Sequence, residues 1–201
     1  MAKTLADIHL ALKACRSCPK MCGTPVHGKD NLTDIMLIGQ APGPHEADRG
    51  KPFAYTAGKT LFGWLGLATG LNEEALREKV YFAAVARCFP GKNPKGGGDR
   101  VPDTDEIANC QKFLQAEVEV LKPKLILAVG KLAISEVLGP KIFSKTTLLS
   151  DVVGKTFFVN YLGHPTHVIP LPHPSGISSW HRVSPGKDLL EKALKLVGDL
   201  T

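Results

Sequence analysis

Four cysteines are the side chains whose type and spacing most directly indicate a bound metal. Cys15 and Cys18 form a Cys-x2-Cys pair, and Cys88 and Cys110 follow much later in the chain. Four thiolates suit a tetrahedral zinc ion or an iron–sulfur cluster, and the spacing does not separate the two. Scattered buried cysteines acting as small apolar side chains are the structural alternative. Cys22 is left over; the alternatives are a spare thiol and a ligand in place of Cys18, and we interpret it as a spare thiol because Cys-x2-Cys is the commoner ligand spacing.

A second group of candidate residues follows an apolar run at Ile35–Gly39. The turn Gly39-Gln-Ala-Pro-Gly43 has two glycines that let the backbone lie close to a ligand. Three titratable side chains come just after it and are candidate bases or partners of a cationic substrate, the alternative being a solvated loop: His45, Glu46 and Asp48.

A histidine turn follows a later apolar run. In Leu171-Pro-His-Pro-Ser-Gly176, prolines on both sides restrict the backbone around His173. The amides of Ser175 and Gly176 are suited to receive a phosphate. A buried histidine bonded to a carbonyl is the structural alternative.

The bulk composition is that of an ordinary globular protein. The chain has 201 residues, 43% hydrophobic and 22% charged, which predicts one domain over residues 1–201. No apolar run is long enough for a membrane span, and the N-terminal stretch lacks the apolar core of an export signal, so we expect a cytoplasmic protein. Lys and Arg outnumber Asp and Glu by 25 to 19, which is consistent with a polyanionic partner but is weak alone.

The hydrophobic pattern alternates between strand-like and helix-like segments. The predicted strands are 35–39, 80–86, 125–130, 157–159 and 167–171. The predicted helices are 4–14, 56–67, 104–121 with Thr104 as N-cap, 131–138 and 186–197. Apolar strands separated by helices indicate a three-layer α/β/α sandwich around a mainly parallel sheet. Ligands of such sheets bind beyond the carboxyl ends of the strands, here after Ile38, Val85, Val129 and Leu171.

In their joint order, these segments resemble the uracil-DNA glycosylase superfamily, in particular its iron–sulfur branches, families four and five. The resemblance rests on the following segments: Cys15-x2-Cys18, Gly39–Gly43, Gly50-Lys-Pro-Phe53 with Ala57-Gly58, Val80–Cys88, Asn93-Pro94, Glu106–Cys110, Leu121–Gly130 and His173-Pro-Ser175.

The resemblance implies a function and a role for each group of residues. It implies a DNA-repair enzyme that hydrolyses the N-glycosidic bond of uracil, and a [4Fe–4S] cluster on Cys15, Cys18, Cys88 and Cys110. The flipped base would stack on Phe53 and be contacted by the backbone of Gly39, Gln40 and Ala41, while His173 would face its carbonyl oxygen. The turn Ser175-Gly176-Ile177 would press on the DNA strand, and phosphates would be held by Lys92, Lys95, Arg100, His181 and Arg182.

Two departures from the family pattern bear on the chemistry. Family four usually has Glu where this chain has Gln40, and an amide is not basic, so Gln40 is expected only to position water. Family four also keeps a base-reading asparagine where this chain has Ala84, so we expect an apolar wall. The expected result is a range that includes other deaminated bases, the alternative being uracil selectivity carried by backbone contacts. The chain is therefore interpreted as lying between the two families.

The expected partner is DNA containing uracil or another deaminated base, bound by a monomer that does not associate with membranes. The alternative function is a non-catalytic iron–sulfur DNA-binding module, which the missing acidic residue at position 40 suggests. A redox-sensing or electron-transfer protein ranks third, because such a protein seldom needs both a glycine turn and a His-Pro-Ser turn.

Overall fold

The computed structural model of the protein describes residues 4–200. It contains five strands: β1 Ile35–Gly39, β2 Tyr81–Ala84, β3 Leu125–Val129, β4 Phe157–Tyr161 and β5 His164–Leu171. Its α-helices are α1 Leu5–Lys13, α2 Glu46–Arg49, α3 Thr56–Thr69, α4 Glu73–Lys79, α5 Thr104–Leu121, α6 Lys131–Leu138, α7 Leu149–Val152 and α8 Gly186–Leu200. A short 3-10 helix spans Trp180–Arg182.

The strands form one sheet in the order β2-β1-β3-β5-β4. The first four strands in this order run parallel, and only β4 pairs antiparallel, with β5. Every residue of β2 and β3 is buried, as expected for strands covered on both faces. The predicted α/β sandwich with a mainly parallel sheet is confirmed.

The helices bury apolar stripes against the sheet and against each other. Contacts join α3 to α8 and α1 to α5, while α6 packs directly on the central strands. In α1, for example, Leu5, Ile8 and Leu12 are buried at helical spacing. None of the helices within residues 4–200 is long and apolar enough to cross a membrane.

The start of α5 corrects one detail of the sequence analysis. The N-cap is Asp103, not Thr104. The Asp103 carboxylate accepts the Glu106 N–H at 3.0 Å, and the Glu106 carboxylate accepts the Asp103 N–H at 2.8 Å. This reciprocal capping box satisfies two backbone donors, which a threonine one residue later cannot do.

Several elements lie outside the predicted bounds. Three short helices, α2, α4 and α7, have too few residues for a clear helical pattern. The last two strands are longer than predicted because they form a hairpin. Its two turn residues, Leu162 and Gly163, both have positive φ, the geometry that joins tightly paired strands.

Candidate active site

A cavity of about 710 Å³ opens at the carboxyl ends of β1, β2 and β5. Its walls come from the glycine turn, the Phe53 segment, the end of β2, the glycine-rich loop after β2 and the histidine turn. Three of the four predicted turns thus contribute to it. The fourth turn, at Gly130 after β3, lies behind the His173 ring instead. A Cβ atom at position 130 would lie only 3.2 Å from that ring, so the glycine leaves room for the histidine.

His173 faces this cavity with a defined hydrogen-bonding state. Its Nδ1 accepts the Ser175 N–H at 3.2 Å, so the proton of the neutral ring is on Nε2. Burial lowers the pKa of His173, Asp99 partly opposes this effect and His181 adds to it, so the site favours the neutral ring. The ring therefore presents an N–H donor, and its partner is a backbone amide rather than the carbonyl of the structural alternative.

Phe53 is held in an unusual backbone conformation. Its φ is +53°, a left-handed value that non-glycine residues rarely adopt. Glycines make room for it: a Cβ on Gly39 would lie 2.8 Å from the ring, and one on Gly58 would lie 1.8 Å from the Phe53 carbonyl oxygen. These two family-motif glycines are thus needed to place the ring, a role that the sequence pattern alone did not assign.

Glu46 is buried, so the solvated-loop alternative is wrong for this residue. One carboxylate oxygen accepts the Gly43 N–H and the other the Ala54 N–H, each at 3.1 Å. Burial raises the pKa of Glu46, and the backbone bonds partly offset that effect. The carboxylate ties the glycine turn to the Phe53 segment, whereas the neighbouring His45 and Asp48 are exposed.

Arg77 in α4 was not predicted as a site residue. Its guanidinium donates to the carbonyl oxygens of Pro52 at 3.0 Å and Phe53 at 3.3 Å. It also lies over the Phe62 and Phe82 rings, 4.5 and 5.3 Å from their centroids. Arg77 thus binds carbonyl groups of the Phe53 segment, while Glu46 binds an N–H group of the same segment. Only the tertiary structure brings these residues together.

The floor of the cavity is backbone of β1 and β2. The Gly39 carbonyl accepts the Val85 N–H at 2.9 Å, which continues the pairing beyond the strands. Ala84 is buried and lines the cavity, together with the Gln40 and Ala41 segment. Position 84 therefore offers an apolar surface, as expected.

The predicted phosphate-binding residues fall into two classes. Arg100 pairs with both oxygens of Glu106, at 2.6 and 2.7 Å, and His181 is buried against Trp64, so neither is free to bind a phosphate as predicted. Lys95 is exposed, Lys92 is exposed but pairs with Asp99 at 2.6 Å, and Arg182 is exposed with one bond to the Gly176 carbonyl at 3.4 Å. Arg182 also supports the histidine turn that contains Ser175 and Gly176.

The four predicted cysteine ligands converge although they lie far apart in sequence. Burial raises the pKa of Cys88 to about 12, and Cys110, Cys15 and Cys18 add to the increase, so each of these three thiols lies near Cys88. An amide of Asn109 donates to the Cys18 sulfur at 3.6 Å. Among residues 4–200, no three His, Cys, Asp or Glu side chains are arranged to hold a single metal ion.

Cys22 contributes its backbone, and not its side chain, to the packing of this region. The side chain is exposed, and the backbone pairs with Phe89, the residue after Cys88. It therefore fixes the N-terminal segment beside the β2 end through its backbone, and its interpretation as a spare thiol stays a prediction.

A buried polar network lies between the cysteines and the cavity floor. Arg87 and Glu117 are fully buried and form an ion pair, and Arg87 Nε also donates to the Ala84 carbonyl at 2.8 Å. The network continues through Tyr81 to His9, with distances of 2.7 and 2.8 Å. Buried charges are tolerated only when paired and hydrogen-bonded, and here they fix the end of β2 next to Cys88.

Comparison with known proteins agrees with this arrangement. A sequence model described as the uracil DNA glycosylase superfamily matches residues 25–197. A type-4 uracil-DNA glycosylase of Saccharolobus solfataricus is 32% identical over 167 residues, covering 82% of this chain and 72% of that protein. One of Archaeoglobus fulgidus is 32% identical over 178 residues, or 87% and 83% of the two chains.

A type-5 uracil-DNA glycosylase of Pyrobaculum aerophilum is also similar. It is 32% identical over 151 residues, covering 67% of this chain and 62% of that protein. Similarity to both types accords with the mixed motif pattern of the sequence. The match of the superfamily model over most of the chain, on a fold whose motifs meet at one cavity, shows that this chain belongs to the uracil DNA glycosylase superfamily.

Proposed function

We propose that this protein hydrolyses the N-glycosidic bond of uracil in DNA and leaves an abasic site. The observation that carries the proposal is the His173 imidazole, whose Nε2 is left as a donor by the Ser175 bond and which shares one cavity with the Phe53 ring. A base stacked on Phe53 would have its polar edge within the same enclosure. The relatives named as uracil-DNA glycosylases support this choice of base.

The mechanism begins with extrusion of the base. Flipping costs a few kcal/mol, and stacking on Phe53 together with contacts from the Gly39–Ala41 backbone would offset it. Because Glu46 and Arg77 fix Phe53 beforehand, little of the binding free energy is spent on ordering the pocket.

Bond cleavage would leave a cationic sugar and an anionic base. A fixed N–H donor near the departing carbonyl oxygen stabilises charge that appears only in the transition state, and His173 Nε2 is suited to this role. Gln40 lines the cavity and is suited to position the attacking water, not to deprotonate it. Glu46 already accepts two backbone N–H groups, which favours a positioning role over that of a general base.

We further propose a [4Fe–4S] cluster on Cys15, Cys18, Cys88 and Cys110. The donor set is four thiols that lie near enough for Cys110, Cys15 and Cys18 to raise the pKa of Cys88, and four thiolates are the ligand set of a [4Fe–4S] cluster. When bound, the cluster would covalently join the N-terminal segment to β2 and α5 within one domain spanning residues 1–201. The purified protein should then be brown and contain iron and sulfide, and Cys88→Ser should remove both the colour and solubility. Colourless protein with one zinc ion per chain would contradict this.

The DNA strand would run across the cavity mouth. The Gly176 amide and the exposed side chains of Lys95 and Arg182 would receive phosphates. Lys92 would first have to leave its exposed pair with Asp99, and the Ser175 N–H is already donated to His173 Nδ1. Ile177 is 70% exposed at the same mouth and would press into the gap left by the extruded base.

The base range is proposed to extend beyond uracil. Ala84 offers no hydrogen bond to a base edge, and an apolar wall discriminates weakly between bases. Other deaminated bases such as hypoxanthine are therefore expected as slower substrates.

A single assay tests the proposal. The protein is incubated with oligonucleotides containing uracil or hypoxanthine, abasic sites are cleaved with alkali, and strand breaks are measured. Uracil-dependent breaks are expected. Binding without breaks would instead favour the non-catalytic DNA-binding module that Gln40 suggests, and breaks at uracil alone would contradict the broader range.

A further inference from the structure

Three side chains form an exposed aromatic and cationic cluster at the cavity mouth, which we call the mouth cluster: His45, Arg49 and Tyr55. The Tyr55 ring lies 4.6 Å from the His45 ring, at an interplanar angle of 54°. The Arg49 guanidinium carbon lies 5.1 Å from the Tyr55 ring centroid. Tyr55 is 43% exposed, and both it and His45 line the cavity.

The local fold does not require a tyrosine at this position. Tyr55 is the N-cap residue of α3, but its side chain makes no capping bond, and polar residues such as Ser or Asp are preferred there. Arg49 is held in place by a 2.6 Å bond to the Ala54 carbonyl, so the cluster is ordered from both sides. An ordered, exposed aromatic group beside a binding cavity is typical of an interaction site.

The position of the cluster points to its occupant. Tyr55 is two residues from Phe53, so their Cα atoms are separated by at most about 7 Å. Phe53 lies deeper, packed against the core, while Tyr55 lies on the rim. A strand that delivers one base to Phe53 therefore carries its neighbouring nucleotide past the mouth cluster. Aromatic rings stack with any base, and a nearby arginine strengthens the contact and attracts the phosphate.

We propose that the mouth cluster is a second nucleobase subsite, in which Tyr55 stacks with the base of the nucleotide next to the extruded one. This inference rests on the proposed glycosylase function and extends it to a neighbouring nucleotide. It assigns Tyr55 to strand binding, with no part in bond cleavage. Because stacking is tolerant of base identity, the subsite would accept all four neighbouring bases.

The test measures uracil release from single-stranded oligonucleotides as a function of enzyme concentration, using the intact purified protein. Tyr55→Ala should raise the half-saturating concentration about 5- to 100-fold, the usual effect of losing one stacking ring, with little change in the maximal rate. Tyr55→Phe should behave as the parent. Phe158→Ala is the matched control, because Phe158 is 67% exposed and contacts His167 at 5.0 Å and 53°, but lies on β4 away from the cavity.

Substrates that lack one neighbouring base make the test specific. An abasic spacer is placed on the 5′ or the 3′ side of the uridine. With one of the two spacers the parent should lose as much affinity as Tyr55→Ala loses on the complete strand, and Tyr55→Ala should lose nothing more. An equal Tyr55→Ala penalty on all three strands, or no penalty on any, would overturn the subsite. Absence of uracil release by the parent protein would instead contradict the proposed function itself.

Discussion

Two of the cavity walls, the Phe53 segment and the glycine-rich loop, are built in opposite ways. In the Phe53 wall, Glu46 and Arg77 bind the backbone on both sides of one strained residue, and the bonds are buried or partly buried. In the loop wall, which spans residues 91–100, three successive glycines have positive φ, and the Lys92–Asp99 pair is exposed to solvent. Side chains from other elements fix the Phe53 wall before the ligand arrives. The loop wall is joined by its own backbone bonds, such as the Arg100 N–H to the Gly91 carbonyl at 2.9 Å, and its Lys92–Asp99 pair is weakened by water and salt.

This difference indicates a division of labour between the walls. A site that stabilises a transition state must hold its groups in place in advance, because ordering them during the reaction would cost free energy. Contacts with a DNA backbone need only a positive charge near a phosphate, and they do not require a rigidly held side chain. Substitutions in the Phe53 wall should therefore affect turnover or folding, and those of unpaired, exposed side chains in the loop wall should affect affinity alone.

The largest effect is expected at His173, whose ring is held in place by the Ser175 N–H, much as Glu46 and Arg77 hold the Phe53 wall. His173→Ala should lower single-turnover rates by about 10²-fold or more, the usual effect of losing one such donor, while DNA affinity changes little. His173→Gln is the control, because its amide can still donate a hydrogen bond. Unchanged rates in the alanine variant would rule out the role of the imidazole.

The strain in the Phe53 wall is tested at Gly58. Gly58→Ala would place a methyl group 1.8 Å from the Phe53 carbonyl oxygen and should lower the free energy of unfolding by about 1–3 kcal/mol. Gly63→Ala is the matched control in the same helix, since its Cβ meets nothing within 4 Å, and it should stabilise the protein by about 0.5–1 kcal/mol. Equal urea midpoints for the two variants would mean that the Phe53 segment is not fixed as described.

The loop wall is tested through its charges. Lys95→Ala should weaken DNA binding and reduce the slope of log affinity against log salt by about one, because a phosphate contact is lost. Arg100→Ala should leave that slope unchanged and lower stability, because Arg100 is already paired with Glu106. Anisotropy titrations at several salt concentrations measure both. The same change of slope in both variants would contradict the assignment of Arg100.

The smallest effect concerns pH. Burial lowers the pKa of His173, so folding favours the neutral ring: its contribution to stability is complete above the unfolded pKa near 6.5 and is lost as the pH falls through the lower folded pKa. Urea midpoints measured from pH 7.5 to 5 should fall less steeply for His173→Gln than for the parent. Part of the slope should remain, because the pKa of His9 is also lowered by burial. Parallel curves would contradict the proposed state of His173.

Much of the fold could be predicted because its signals are local. The apolar runs at β1 and β3 and the helix α6 were placed almost to the residue, since continuous burial and helical periodicity are visible in the sequence. The order of the glycine turn, Phe53 and the histidine turn was likewise sufficient to indicate the family. The bounds of β4 and β5 could not be predicted in this way, because pairing between the two strands extends each of them beyond its own hydrophobic pattern.

The site depended more strongly on tertiary structure. Types and spacing of residues were enough to single out His173 and the cysteines, and the family resemblance added Phe53. Whether Arg100 is free or paired, and whether Glu46 is solvated or buried, is decided by which segments meet, and these contacts leave no mark in the local pattern. Arg77 is the clearest case. From the sequence it is indistinguishable from an ordinary charged surface residue, and only the packing of α4 brings its guanidinium to the Phe53 carbonyl.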